Sequence, residues 1–350
     1  MGKDFGSSSE KRLSPRALLP ILYLLAILVG GPFTSCSADE VPAEAVTVDA
    51  GTVRTFVDIE MDGAMKSASW QFILSLDIFV FDDDDLGWID TYNRIDGPSS
   101  YRVAVMSGKG DKRVVAVANT DLSKASHGIG CYDDFLSMEA EYTSETPEYP
   151  VMCGECRIKA GEGGALTMKP LLSLIEITGI RSGKELRNLK AYVINAANRC
   201  PFIKDGDIHP SEYLNFGSLK EVDLQRMRFP GMIYSYIGNG TEDEEGWDFG
   251  AASLYCYPNN TVEESAGSPF TEVVLEGECD GQMLEFHIPV NQIGYGYSGG
   301  LKGIVRNTRY MMEVSIGSQT REACTPLYSN MSPDPNKSPQ GQVPAAVHCQ

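Results

Sequence analysis

The stretch Phe72–Phe81, FILSLDIFVF, decides the fold. Phe72, Leu74, Leu76, Ile78 and Val80 alternate with Ile73, Ser75, Asp77, Phe79 and Phe81, so one face is wholly apolar, the pattern of a half-buried strand. The acidic run Asp82–Asp85 with Gly87 ends it and Trp88–Tyr92 restarts an extended segment, which predicts a hairpin.

The same reading extends along the chain. Further strands are predicted at Tyr101–Met106, Arg113–Ala118, Leu171–Ile180, Leu189–Asn195, Ser253–Tyr257, Thr271–Glu276, Leu284–Val290 and Arg309–Ile316. Turn residues such as Gly108–Asp111, Asp205–Asp207, Asp280-Gly281 and Gly299-Gly300 separate them. Short helices are expected at Asp121–Ala125 and Asp133–Met138. Many short strands without strand and helix alternating predict a mainly β protein of antiparallel sandwiches, and exclude a nucleotide-binding α/β sheet. The glycines of Gly161–Gly164 are expected to separate two strand-rich blocks, residues 51–165 and 166–318. Residues 319–350 carry five prolines (Pro326, Pro333, Pro335, Pro339 and Pro344) and read as a loosely ordered tail.

The N-terminal segment has a different grammar. Lys11, Arg12 and Arg16 precede the apolar run Ala17–Val29, which is broken only by Pro20 and is too short to span a membrane. Residues 1–35 therefore read as an export signal, and residues 36–50 as a linker. Small residues, Thr34 and Ser35, stand before Cys36, and the whole resembles a bacterial lipobox, with Phe33 where an aliphatic residue is usual. That resemblance implies cleavage before Cys36 and acylation of its thiol. An ordinary cleaved signal with an incidental cysteine is the alternative. Ser37-Ala38-Asp39-Glu40 also looks like the signal that sends Bacteroidetes lipoproteins to the outer face of the outer membrane.

Charge narrows the partners. The chain has 29 Lys and Arg against 48 Asp and Glu, a net charge of −19. Without residues 1–35 the balance is 25 against 46, or −21. Such a surface repels nucleic acid and anionic headgroups, so membrane attachment must come from acyl chains. Eight cysteines remain besides Cys36, at spacings that form no disulfide framework, and most are expected to be small buried apolar residues.

Catalytic motifs fail on context. Gly296–Gly300 matches G-x-S-x-G, but a Gly/Tyr loop leading into a strand is no nucleophile elbow. Cys153-Gly154-Glu155-Cys156 is a lone C-x-x-C without two further zinc ligands, and reads as a reversible disulfide or two thiols. Asp82–Asp85 lacks the later ligands of a calcium loop and reads as a charged hairpin tip. His127, His209, His287 and His348 pair with no cysteine or carboxylate at catalytic spacing. No enzyme activity and no cofactor or metal is therefore expected.

The order of motifs resembles that of Bacteroidetes fimbrillin-type subunits. Leu76–Asp82 with Gly87, then Arg113–Asn119, is similar to their first-domain pattern. Pro150–Met152 and Pro170–Ile177 resemble the stretch that leads into the second, and Tyr213–Gly217, Leu254–Asn259 and Arg306–Tyr310 complete the series. Together they look most like the FimB-type, fimbrillin-A-associated anchor branch. The resemblance implies two tandem transthyretin-like β-sandwiches, a place in the type V pilus at the outer membrane, and partner pilins bound by strand donation. Stalk subunits of that family lose a first strand by cleavage after an arginine. Here Arg54, followed by Thr55, is where such a cut would fall, making the chain a stalk or tip pilin. Its other reading is a solvent-facing arginine on a first strand. After Ile316 the family pattern would continue with a closing strand, and the sequence instead runs into the Pro-rich tail. A different alternative, a surface glycan-binding lipoprotein, rests on Trp88, Trp247 and Tyr295 as stacking aromatics.

Overall fold

The computed structural model describes residues 51–62, 73–204, 207–295, 297 and 300–317, with backbone at 327–328 and 343–344. Cys36, the export signal and Ser298 of the G-x-S-x-G motif lie outside the described residues. The first strands are β1 (Val53–Met61), β2 (Ser75–Asp82), β3 (Ile89–Asp96), β4 (Arg102–Ser107), β5 (Asp111–Ala118), β6 (Glu139–Glu141), β7 (Met152–Lys159) and β8 (Gly164–Pro170). Helix α1 (Tyr132–Leu136) stands near the second predicted helix, and a 3₁₀ turn at Ala125–Gly128 stands near the first.

Seven of these strands form one sheet in the order β3-β2-β5-β7-β8-β1-β4. The β2–β3 hairpin forms as predicted, with Phe79 opposite Tyr92. β8 pairs with β7 only at Cys153 and Met152, then runs parallel to β1 from Val57–Gly164 to Met61–Met168. The sheet thereby turns a corner and folds over itself. Gly154 makes the corner possible, because a Cβ there would lie 2.3 Å from the Thr167 carbonyl oxygen. Val57, Ile59, Leu166 and Met168 on one wing then bury against Leu76, Ile78, Val80 and Ala116 on the other. Each of these Val, Ile, Leu and Met side chains removed from water contributes about 1.5–3 kcal/mol.

β2 differs from its expected half-buried state. Its second face, Phe79 and Phe81, is buried as fully as its first, in the core that continues into the rest of the chain. The glycines of Gly161–Gly164 also have a different role from the expected separator. Gly161 and Gly163, at φ +91° and +77°, form the turn into β8, so the chain leaves the first sheet at Leu171.

The remaining strands are β9 (Ser173–Ser182), β10 (Arg187–Ile194), β11 (Ala196–Ala197), β12 (Arg199–Pro201), β13 (Tyr213–Leu214), β14 (Tyr234–Gly238), β15 (Thr241–Asp243), β16 (Gly246–Asp248), β17 (Ala252–Cys256), β18 (Glu272–Cys279), β19 (Gln282–Pro289) and β20 (Arg309–Ile316). Helix α2 (Glu221–Arg226) interrupts them. One sheet has the order β14-β10-β18-β19, and another the order β15-β16-β9-β17, with β20 on the other side of β9. Ile175, Ile177, Val193, Val273, Phe286 and Val314 bury between the two. Among the described strand pairs only β1 with β8 and β9 with β20 are parallel. β21 (Leu327–Tyr328) and β22 (Val343–Pro344) form a two-residue ladder, β21 beside β20, within the tail expected to be loosely ordered.

Candidate subunit interface

The first and last long strands, β1 and β20, differ in how their edges are paired. β1 is an interior strand, hydrogen-bonded to β4 on one side and β8 on the other, with Val57 and Ile59 in the core. Arg54 lies near its start and is exposed. The Phe56 ring sits between two guanidinium groups, those of Arg54 and Arg102, each 5.0 Å from its centroid. Thr55 is buried, and its hydroxyl accepts a hydrogen bond from the Gly161 N–H at 2.7 Å. Arg54 and Thr55 stand opposite Met106 and Val105 in the β1–β4 ladder. A cut between them would leave the β1–β8 ladder, Val57–Met61, untouched and would break the β1–β4 ladder, which runs from Val53 to Asp58, near its start. At the other end of the chain, the β20 ladder pairs β9 along one edge, and no second strand is in register with it among the described residues.

Between the first sheet and the later ones lies a junction built from both. β6 pairs with β12, bringing Glu141 to 3.1 Å from Arg199. Phe135 of α1 wedges between Phe79 and Phe202, with ring centroids 5.1 and 6.0 Å away. The Tyr142 hydroxyl donates to the Tyr255 carbonyl at 2.7 Å. Glu145, wholly buried, accepts from the Tyr257 hydroxyl at 2.7 Å and from the Val151 N–H at 3.0 Å. Burial pushes the Glu145 carboxyl up to about 7, against these donors, which favour the charged form. Arg306 ties the loop before β20 to this region, donating to the Phe202 and Pro201 carbonyls. With the junction in place, the described residues of both sets of sheets belong to one compact unit.

Other expected sites resolve into protein-protein contacts. Asp82 pairs with Lys112, Asp83 with Arg113 and Arg157, and Asp84 accepts from the Leu86 and Gly87 N–H groups, so the acidic run is a braced hairpin tip. Cys153 and Cys156 are both free thiols, and the three-residue offset along β7 sends them to opposite faces, Cys153 into one core and Cys156 against the other. A disulfide between them, reversible or not, is thereby ruled out. His287 does meet carboxylates, Glu272 of the neighbouring strand β18 at 2.8 Å, which linear spacing hides, and Glu285, two residues before it on β19, at 3.5 Å. Of the three aromatics weighed for sugar stacking, Trp88 is 56% exposed, whereas Trp247 and Tyr295 pack against the core.

Sequence reasoning missed β7 and the Glu145–Tyr257 pair. Gly154 and the charged Glu155 and Arg157 weaken the strand signature of β7. The pair spans 112 positions and leaves no local signal.

No family model matches the sequence, and no curated protein matches it. Solved structures share its fold. A protein assigned to cell adhesion from Bacteroides eggerthii superposes with a TM-score of 0.59 at 12% identity, covering 86% of this chain and 96% of that one. A second cell adhesion protein, from Parabacteroides distasonis, gives 0.53 at 15% identity over 85% and 97%. A fimbrilin from Porphyromonas gingivalis gives 0.53 at 13% identity over 85% and 96%. The class the fold defines is thus the mainly β architecture of Bacteroidetes fimbrial and cell adhesion proteins. At these identities the likeness concerns fold.

Proposed function

We propose that the chain is a lipid-anchored subunit of a type V fimbrium, held in the outer membrane by acylated Cys36 and joined to other pilins by strand exchange. In this reading residues 1–35 are a cleaved signal, residues 36–50 a linker, and the two strand-rich blocks are tandem transthyretin-like sandwiches that divide at Leu171. The observation that carries it is the setting of β1. The strand that directly follows the linker is paired on both sides and buried in the core, so a lipid on Cys36 would be tied covalently to an integral strand. One cysteine bearing two or more acyl chains gives stable anchoring. β20 is in register with β9 alone among the described residues, and its other edge, which the two-residue β21 lies beside, is where a partner strand would add its backbone donors and acceptors, the basis of β-augmentation. The shared fold with a fimbrilin supports the assignment to fimbriae. The FimB-type anchor branch is the member of the family that fits a retained first strand.

Processing after Arg54, which would make the chain a stalk or tip pilin, is the lesser reading, because the Arg54–Thr55 bond lies within a strand ladder. Affinity purification from native outer membranes after chemical crosslinking tests the proposal. Recovery of fimbrial subunits crosslinked to this chain is expected. Recovery of the chain without any pilin, from cells that display fimbriae, would overturn it.

A further inference from the structure

A cleft of about 960 Å³ opens at the junction, on the face of β5 and β7 that α1 and the segment after β12 overhang. Its floor is made by Arg113, Glu155 and Arg157, and its walls by Tyr132, Leu136 and Ile203, with Lys204 at the rim. Three cations and one carboxylate line a cleft in a chain of net charge −19, so local charge opposes the global one. Arg113 and Arg157 stand directly opposite each other in the β5–β7 ladder. Like charges in that position repel, a cost that folding alone does not require. Asp83 offsets part of it, lying 3.1 Å from Arg113 and 3.2 Å from Arg157. Its contact with Arg157 is made through Nε, and the Arg157 side chain is 70% exposed. Lys204 is exposed and has no ion-pair partner among the described residues.

The remaining polar group has its own geometry. The Tyr132 hydroxyl donates to one oxygen of Glu155 at 2.6 Å, which fixes that carboxylate at the cleft floor. The Arg113 guanidinium covers the Tyr132 ring at 4.0 Å, so this ring is no free stacking platform. Apolar contact is left to Leu136 and Ile203.

We propose that this cleft binds a carboxylate-bearing saccharide such as a uronic acid. Arg157 and Lys204 donate to the sugar carboxylate, the free lone pairs of Glu155 accept from ring hydroxyls, and Leu136 and Ile203 meet the apolar C–H face. The volume suits one or two pyranose rings. The competitors differ in what they leave unmet. A phosphate ion has no apolar face for Leu136 and Ile203, and a neutral sugar leaves Arg157 and Lys204 unused, while an acidic peptide, whose backbone N–H groups also donate to Glu155, is separated by the titration below. The site differs from the aromatic surface weighed from sequence, and it is independent of strand exchange.

Isothermal titration of the full mature chain with trigalacturonate, glucuronate, glucose, an oligo-glutamate peptide and inorganic phosphate tests the inference. Trigalacturonate is expected to bind, more weakly as salt rises. Arg157→Ala and Lys204→Ala, both at exposed positions, are each expected to weaken it about tenfold, the loss of one charge-assisted contact. No binding of either acidic sugar, binding unchanged in both variants, or tighter binding of glucose, phosphate or the peptide would overturn it. Circular dichroism of both variants establishes that they remain folded.

Discussion

The Tyr257 hydroxyl reaches the Glu145 carboxylate at 2.7 Å with both side chains buried, and this contact joins the loop that precedes β7 to the segment that follows β17. A carboxylate in that setting is stabilised by its donors and penalised by its desolvation. Burial dominates and raises its pKa from 4.5 to about 7. Folding therefore favours the protonated form. The contribution of Glu145 to stability is fully present below its unfolded pKa and is lost as pH rises through about 7. The loss is about 3 kcal/mol at most. Urea unfolding at pH 5 and pH 8 is expected to show a smaller drop for Glu145→Gln than for the parent chain. An unchanged drop would assign the pH dependence to other groups.

Tyr257→Phe removes the hydroxyl donor while keeping the ring that meets Tyr142 edge-on at 5.2 Å. The variant is expected to lose about 1–3 kcal/mol, more at pH 8 where Glu145 is charged. Equal losses at pH 5 and pH 8 would show that the hydroxyl does not serve the carboxylate.

Asp77 is the buried charge of β2. It is wholly enclosed, 2.7 Å from the Arg94 guanidinium and 2.6 Å from the Tyr92 hydroxyl. Asp77→Ala takes the acceptor from the Tyr92 hydroxyl and from the Leu122 N–H, and leaves Arg94 with Asp96 at 3.0 Å and Asp121 at 3.6 Å; it is expected to cost about 1–3 kcal/mol in denaturant unfolding. A loss below about 0.5 kcal/mol would mean that the donors around Asp77 find other acceptors.

Gly154→Val puts side-chain atoms where the Thr167 carbonyl lies, with the nearest backbone contact already 2.3 Å from a Cβ. The corner at β7 and β8 has to open, and the variant is expected to be recovered largely misfolded, as read by gel filtration and circular dichroism. A native-like, monodisperse product would refute the corner.

These sites show what sequence reading can and cannot reach. Alternation located β2, β5, β9, β10 and β18–β20, because a strand with a dry face must place an apolar residue at every second position. The acidic tip was legible from local turn chemistry. Asp77 looked like part of a polar face, since nothing near it in sequence reveals that α1 and the later sheets cover that side. Glu145 with Tyr257, and Glu272 with His287, depend on tertiary neighbours. The rows of the cleft come from β5, α1, β7 and the segment after β12, so no window of sequence contains them. Arg54 and Thr55 were legible as a basic site on a first strand, while the ladder around their bond was not.

That ladder bears on the central claim. The Arg54–Thr55 bond is paired with Val105 and Met106 in the folded chain. Mass spectrometry of the mature protein purified from its native outer membrane reads the N-terminus and any lipid together. A di- or triacylated Cys36 at the start, with the Arg54–Thr55 bond intact, is the predicted result. A chain that begins at Thr55 and carries no lipid would contradict the anchor.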